Sequence, residues 1–188
     1  MELVAAASRA MPPWIPPDLV RGTTRAPGEA EMTSSELADI AIEAMRLQNG
    51  YARAIDTRDW DLFRALFTPD VVAEYPGMPF AGIEQWLEFF VPFHDDCTWI
   101  QHAMTNHVVG VDADGIWATC YGFVEWTMRD RPKLINRSRT LYRDRLIQQN
   151  GSWVIARRKC DLLMHQPDAP IPDGITYPSS VLDLADIS

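Results

Sequence analysis

The spacing of apolar residues changes near Cys97 from a helical period to the alternation that is typical of β-strands. Before that point, the pattern predicts three helices, over residues 36–55, 60–67 and 83–90, and one short strand, over residues 71–75. Beyond it, turn signals such as Asp114-Gly115 and Asn150-Gly151 separate four predicted long strands, over residues 98–111, 116–127, 135–148 and 152–163. Helices followed by antiparallel strands predict an α+β fold, with three N-terminal helices packed on a curved sheet.

The two ends of the chain differ in composition from its middle. Residues 1–32 contain five prolines, which lack backbone donors, and this predicts an extended or disordered arm. Thr33, followed three residues later by Glu36, resembles a capping box and marks the expected start of a single domain over residues 33–165. Residues 166–188 are proline-rich again and are expected to form a tail that covers a pocket or joins a subunit interface.

Charge and cysteine content exclude several classes of protein. The net charge of −9 argues against nucleic-acid binding, because phosphates are bound by clustered Lys and Arg. No apolar run approaches the roughly 20 residues that cross a bilayer, and the N-terminus lacks the pattern of a secretory signal. The three cysteines, Cys97, Cys120 and Cys160, have no CxxC spacing, which predicts reduced thiols in a cytoplasmic protein.

One acid and one histidine stand out as candidates for chemistry. Asp56 falls at the C-terminal end of the first predicted helix, where the helix dipole disfavours a carboxylate. Such an acid is either solvated or held there by a partner. His102 lies on the first long strand, and alternation places it on a mostly apolar face with Ile100 and Met104. A lone histidine on such a face is more often structural than catalytic, so the residues alone leave both interpretations open.

The same alternation assigns the neighbouring polar residues to faces. Asn106 is expected to share the face of His102, and His107 the opposite face, so these two histidines could not share a metal ion. We therefore expect no metal site, and without a glycine-rich nucleotide loop we expect no cofactor. His94 and His165 fall in predicted loops. Further polar candidates are Tyr75 at the end of the short strand, Tyr121 on the second long strand, and Ser138 and Thr140 on the third.

Four segments resemble the SnoaL-like branch of the NTF2-like superfamily. They are residues 51–61 (YARAIDTRDWD), 66–71 (LFTPDV), 101–102 (QH) and 151–155 (GSWVI). The resemblance is closest to the scytalone dehydratase and bile-acid dehydratase group, and it covers about residues 36–163. It implies a cone-shaped α+β barrel with a closed apolar pocket.

The resemblance also implies roles for individual residues. Asp56 falls where these dehydratases keep the acid that orients a catalytic histidine, and His102 falls where they keep that histidine. Tyr75 matches the tyrosine that polarises the substrate carbonyl through water in scytalone dehydratase. The candidate substrate-binding residues are Tyr51, Asn106, Tyr121, Ser138 and Thr140, of which the last two fall near positions of polar contacts in that enzyme.

Two departures from that group argue against the same substrate. Scytalone dehydratase has a second catalytic histidine on the next strand, where this chain has Thr127 or Met128. A tyrosine beside the acid is replaced by Ile55. Both departures leave the Asp–His pair intact.

The expected function is therefore that of a cofactor-independent lyase, a dehydratase that forms an enolate and eliminates water from a cyclic, polyketide- or steroid-like substrate. An isomerase or an aldol-type cyclase would use the same pair. A non-catalytic subunit, such as the β subunit of a ring-hydroxylating dioxygenase, and a ligand-binding module remain alternatives. The expected partners are a small, hydrophobic, oxygenated substrate and further copies of the chain in a homodimer or homotrimer, with neither nucleic acid nor membrane.

Overall fold

A computed structural model describes residues 32–174 of the chain. These residues form three helices and six strands: α1 (Ser34–Asp56), α2 (Trp60–Ala65), β1 (Phe67–Tyr75), β2 (Met78–Ala81), α3 (Ile83–Asp95), β3 (Cys97–Asp112), β4 (Gly115–Met128), β5 (Arg131–Gln149) and β6 (Ser152–Pro170). The predicted N-terminal arm up to residue 31 and the end of the predicted tail, from residue 175, lie outside the described residues.

Helix α1 begins at the predicted capping box. Thr33 accepts a hydrogen bond from the backbone N–H of Glu36 at 3.2 Å, and the Glu36 carboxylate accepts one from the backbone N–H of Thr33 at 2.7 Å. These two bonds satisfy donors that the first helical turn leaves free. The inward side of the helix, which includes Leu47, Ala54 and Ile55, is fully buried, whereas Leu37 and Met45 are exposed. The prediction of this helix is confirmed.

The segment after α2 differs from the prediction. Asp59 caps α2 by accepting a hydrogen bond from the backbone N–H of Leu62 at 2.9 Å, but the helix ends before Phe67 instead of including it. Phe67 opens β1, because it pairs with Ile155 of β6 in a parallel ladder. Strand β2 was not predicted. It follows the turn at Gly77, whose φ of 75° suits glycine, and pairs antiparallel with β1.

Helix α3 extends five residues beyond its predicted end at Phe90. Its buried side chains continue the helical spacing from Ile83 through Phe90 to His94, although Pro92 lies within the helix. The prediction of a loop at His94 is therefore wrong. The His94 ring packs among Trp60, Phe90 and Phe93, and its Nδ1 lies 2.6 Å from the backbone oxygen of Phe90.

The six strands form one sheet in the order β2-β1-β6-β5-β4-β3, in which only the β1–β6 pairing is parallel. Strand β6 continues to Pro170, which pairs with Leu134, whereas the sequence predicted an end near Leu163. Residues 166–170 of the predicted tail thus belong to β6. They pair with the first part of β5, which begins at Arg131 and not at the predicted residue 135. The predicted α+β architecture, with helices preceding a mainly antiparallel sheet, is confirmed.

The two faces of the sheet have different compositions. Helices α1 and α3 lie against one face, which we call the helix-covered face, and α1 packs mainly on β3. This face buries Ala118, Cys120 and Val124 of β4 together with Tyr142 of β5 and Cys160 of β6. The opposite face carries alternate residues such as the exposed Phe123 and several arginines.

A fully buried ion pair joins the sheet to α1. The Arg158 guanidinium donates to both carboxylate oxygens of Asp144, at 2.7 and 2.8 Å, and neither side chain is exposed. Gln48 of α1 donates to the same carboxylate at 3.1 Å. The guanidinium also lies over the rings of Tyr51 and Tyr142, at 4.2 and 4.9 Å from their centroids. This cluster fixes α1 against β5 and β6.

We expect Asp144→Ala to lower the free energy of unfolding by about 3–5 kcal/mol, because it leaves the Arg158 charge buried without a counter-ion. The exposed pair of Arg143 and Asp161 provides a matched control, since both pairs join β5 to β6. Asp161→Ala should cost less than about 1 kcal/mol, as solvent-exposed ion pairs do. Urea unfolding measures both effects, and equal losses in the two variants would contradict a structural role for the buried pair.

Burial lowers the pKa of His94 from its ordinary value of 6.5 to about 3, although the hydrogen bond to Phe90 opposes the shift. Between these two pH values the His94 ring is protonated in the unfolded chain but neutral in the folded protein. The contribution of the neutral His94 to the free energy of unfolding is therefore complete above pH 6.5. It is lost as the pH falls from 6.5 towards 3, by up to about 1.4 kcal/mol per pH unit.

We expect the wild-type chain to lose about 2 kcal/mol more stability than His94→Gln between about pH 7.5 and about pH 5, since glutamine cannot take up the proton. Urea unfolding of both proteins at the two pH values measures this difference. The half-buried His107 and the carboxylates are common to both proteins and cancel in the comparison. Parallel pH dependences would show that His94 does not contribute.

Candidate active site

Asp56 and His102 are in direct contact. Asp56 is the last residue of α1, and its Oδ1 lies 2.6 Å from Nδ1 of His102. Its Oδ2 accepts a second hydrogen bond, from the backbone N–H of His102, at 2.9 Å. The Asp56 side chain is 13% exposed and the His102 side chain is 5% exposed. The carboxylate is therefore held at both oxygens by one residue of β3, and the imidazole is fixed in orientation.

The position of an acid at the end of α1 has a physical explanation. A carboxylate there faces the negative end of the helix dipole, which disfavours it. The two donors of His102 offset this cost, and the Arg58 guanidinium adds a cation at the same helix end. It donates to the backbone oxygens of Ile55, Asp56 and Cys97, at 2.7, 3.3 and 3.2 Å. Arg58 thus caps the free carbonyls of the helix and leaves the Asp56 carboxylate to His102.

The hydrogen bonds of Asp56 determine which nitrogen of His102 carries the proton. An ionised carboxylate only accepts hydrogen bonds, so Nδ1 of the neutral ring is the protonated nitrogen and Nε2 has a free lone pair. Nε2 makes none of the hydrogen bonds found among residues 32–174. The arrangement can therefore accept a proton at Nε2, and the neighbouring carboxylate stabilises the imidazolium that results.

Tyr51 contacts both the imidazole of His102 and the hydroxyl of Tyr75. The Tyr51 ring packs edge-on against His102, with centroids 6.0 Å apart, and its hydroxyl lies 2.9 Å from that of Tyr75. Tyr75 ends β1 as predicted, and its ring packs on Trp86 and Phe90. Burial raises the pKa of both tyrosines well above the ordinary value of 10. Both phenols therefore stay protonated near neutral pH and can serve as hydrogen-bond donors.

Tyr51 has a different environment from the one predicted. The sequence places it among the substrate contacts, but only 1% of its surface is exposed and its hydroxyl is engaged by Tyr75. Arg158 lies over its ring at 4.2 Å. Tyr51 is thus packed between the buried ion pair and Tyr75, where it orients the Tyr75 hydroxyl.

The register of the sheet aligns His102 with two other polar residues on the helix-covered face. His102 pairs with Val124, which pairs with Ser138, which in turn pairs with His165 of β6. Ser138 and Thr140 are both buried on this face, and Thr140 donates to the backbone oxygen of Gly122 at 3.3 Å. The prediction of a loop at His165 is wrong, because β6 extends to include it.

A β-bulge reverses the predicted faces of Asn106 and His107. Thr105 pairs with Tyr121 but Val108 pairs with Thr119, so β3 has one residue more than β4 in this interval. Asn106 is the extra residue: its φ is 55°, and its side chain is exposed. His107 faces α1, where its Nδ1 lies 2.7 Å from Oε1 of Gln48. The expectation that Asn106 lies beside His102 and that His107 faces away is therefore wrong.

Tyr121 also lies away from His102. It belongs to the alternate residues of β4 that face away from α1 and α3, together with the exposed Phe123 and with Glu125, which pairs with Arg137 at 2.6 Å. Asn106 and Tyr121 line the same depression on this opposite face. Neither residue can contact a molecule that is bound between His102 and the helices.

Within residues 32–174, no group of three or more His, Cys, Asp or Glu side chains is arranged to hold a metal ion. All three cysteines are buried and free. None of the described helices combines the length and the apolar content that are needed to span a bilayer.

Several solved structures share this fold. A protein provisionally named as an aromatic ring hydroxylase from Novosphingobium aromaticivorans is 24% identical, with a TM-score of 0.63, over 69% of this chain and 94% of that chain. A provisionally named scytalone dehydratase from the same species is 15% identical, with a TM-score of 0.63, over 76% and 99% of the two chains. A hexachlorocyclohexane dehydrochlorinase, LinA type 2, is 16% identical, with a TM-score of 0.61, over 76% and 100%.

At these identities the likeness shows the fold alone. No curated protein shows significant sequence similarity to this chain. The profile of the SnoaL-like domain matches residues 36–159, which include most of α1, the Asp56–His102 pair and most of the sheet. The chain therefore belongs to the SnoaL-like domain family.

Proposed function

We propose that this chain is a cofactor-independent lyase that eliminates water from a cyclic β-hydroxy carbonyl compound of the polyketide or steroid type. The observation that carries the proposal is the contact of 2.6 Å between Asp56 and Nδ1 of His102, which leaves Nε2 as a base. A histidine oriented in this way by a carboxylate is suited to general acid–base catalysis near neutral pH.

The reaction has two steps that share one proton. Nε2 of His102 removes a proton from the carbon next to the carbonyl, and the electrons of the C–H bond form an enolate. Asp56 stabilises the imidazolium. The enolate then re-forms the carbonyl and a carbon–carbon double bond as the β C–O bond breaks, and the departing hydroxide takes the proton from Nε2 as water. His102 returns to its starting state.

The negative charge on the enolate oxygen needs a hydrogen-bond donor. Tyr75 is the group that fits this role, because its phenol stays protonated and its hydroxyl is oriented by Tyr51 at 2.9 Å. If Tyr51 donates to the Tyr75 oxygen, the Tyr75 proton is free for the substrate and is made a stronger donor by that bond. Asn106, the other donor suggested by the sequence, faces the opposite side of the sheet and is not part of this proposal.

The names of two structural neighbours agree with an elimination. A dehydratase removes water and a dehydrochlorinase removes hydrogen chloride, so both names describe the loss of a proton and a leaving group from one molecule. An isomerase or an aldol-type cyclase would use the same first step, so the leaving group of the substrate decides between these activities. This support is for the class of reaction and not for a particular substrate.

The neighbour named as an aromatic ring hydroxylase favours a second candidate, a non-catalytic subunit of such an enzyme. A subunit with a purely structural role would not need a histidine whose ring and backbone N–H bind both oxygens of one carboxylate.

We also propose that the chain forms a homodimer or homotrimer through the opposite face of the sheet, which exposes Val108, Phe123 and Leu163. Co-purification with an iron–sulfur subunit, in place of a homo-oligomer, would favour the second candidate.

We expect His102→Ala and Asp56→Asn each to lower kcat by about 100- to 10,000-fold, the usual contribution of a positioned acid–base group. A suitable assay uses a panel of β-hydroxy ketones, beginning with a hydroxytetralone that becomes α-naphthol on loss of water. The release of the naphthol is followed by fluorescence. Stability should change by less than about 1 kcal/mol in Asp56→Asn, because asparagine still accepts the backbone hydrogen bond of His102.

Asp61→Asn is the matched control, since Asp61 is close in sequence but its side chain is fully exposed. It should have wild-type kcat. Wild-type turnover in either dyad variant, or no turnover by the wild-type chain across the panel, would contradict the proposal.

We expect Tyr75→Phe to lower kcat by about 100-fold or more with a smaller change in KM, because a donor to the enolate acts mainly in the transition state. Tyr121→Phe removes the same hydroxyl from the opposite face and should leave both constants unchanged. Steady-state kinetics on the hydroxytetralone measure the two variants. Equal effects would show that Tyr75 acts only through packing.

A further inference from the structure

A second histidine faces the same side of the sheet as His102. The register places His102, Val124, Ser138 and His165 in one row across β3, β4, β5 and β6. Three interstrand spacings of about 4.8 Å separate the two histidines along this row, or about 14 Å between their backbones. The two residues between them, Val124 and Ser138, have short side chains and are 7% and 9% exposed.

The orientation of His165 is established by its aromatic contacts. Its ring stacks on Trp126, with centroids 5.8 Å apart and an interplanar angle of 20°. Trp126 also contacts Phe93 of α3, at 6.4 Å, and therefore lies on the helix-covered face. His165 thus points to the side of the sheet on which Asp56 holds His102.

His165 differs from the other histidines of this region in its polar environment. His94, His102 and His107 each have a ring nitrogen within 2.7 Å of a protein oxygen. The His165 ring takes part in none of the hydrogen bonds among residues 32–174, and the residue is exposed. Leu162, on the same strand, is 47% exposed as well. A stacked but unbonded imidazole at the end of a row of short side chains is free to bind a ligand oxygen.

We propose that His165 is a substrate-binding residue that hydrogen-bonds an oxygen at the far end of a fused polycyclic substrate, whose other end reacts at His102. This inference rests on the proposed function and adds to it a second contact that binds the far end of the substrate. A single ring would fill only part of the distance between the two histidines, whereas a rigid fused-ring framework with oxygen substituents at both ends spans it. The ring of His165 is held by Trp126, so little conformational entropy is lost when the hydrogen bond forms.

The test uses equilibrium binding, which does not require turnover. The probes are α-naphthol, which is short, and a dihydroxyanthracene with its hydroxyl groups on opposite terminal rings, which is long. Quenching of tryptophan fluorescence, with calorimetry as a second measurement, gives both dissociation constants. We expect the wild-type chain to bind the long probe more tightly than the short one.

Three variants separate hydrogen bonding from packing. His165→Phe keeps a ring on Trp126 but has no polar atom, and it should reduce the ratio of the two affinities by about fivefold to tenfold, the effect of one neutral hydrogen bond. His165→Gln restores a donor and should recover most of the ratio. Lys159→Gln, at an exposed position on the same strand, is the matched control and should keep the wild-type ratio.

An unchanged ratio in His165→Phe, or equal affinities of the two probes for the wild-type chain, would overturn the inference. Either result is independent of the dyad, because no chemical step is measured. Conversely, loss of the ratio in His165→Phe would support the role of His165 even if the His102 variants were fully active. The two proposals can therefore fail separately.

Discussion

The buried ion pair of Asp144 and Arg158 determines where the first helix lies on the sheet, and the geometry of the candidate site depends on it. Gln48 connects this pair to α1 and also contacts His107 of β3. Eight residues later, α1 ends at Asp56, about 12 Å further along at 1.5 Å per residue. On β3, the interval from His107 to His102 covers a similar length, about 13 Å, because the bulge absorbs one residue. Helix α1 and strand β3 are thus joined twice, by Gln48 and His107 at one end of this interval and by Asp56 and His102 at the other.

The periodicity of the sequence was sufficient to predict the architecture, whereas the pairing of Asp56 with His102 was implied by the resemblance to the SnoaL-like branch. The capping box at Thr33 and the apolar stripe located α1, and the placement of an acid at its end indicated Asp56. The face of His102 followed from simple alternation. The elements that were missed depend on partners far away in the sequence. Strand β1 begins at Phe67 because β6 pairs with it, and β6 reaches Pro170 because β5 offers an edge.

The errors at Asn106 and His107 have a different origin. Alternation assumes a regular strand, and no glycine in this segment signals a bulge; asparagine is the residue, after glycine, that tolerates a positive φ most readily. The environment of Tyr51 could not be predicted either, because the ion pair beneath it joins residues of two strands near the end of the chain. What remains of the candidate site is a compact group: a base, its carboxylate, and one phenol held by another.

The bulge in β3 has a consequence for comparing this chain with its relatives. In a regular strand, inserting or deleting one residue exchanges the two faces for every position beyond the change. Here Asn106 is the supernumerary residue, and the side chains before and after it keep the orientation that an unbulged strand would give them. A family member one residue shorter at this point would present the same inward-facing side chains. Sequence alignments within the family should therefore place a gap at Asn106, so that the positions of both His102 and His107 are matched correctly.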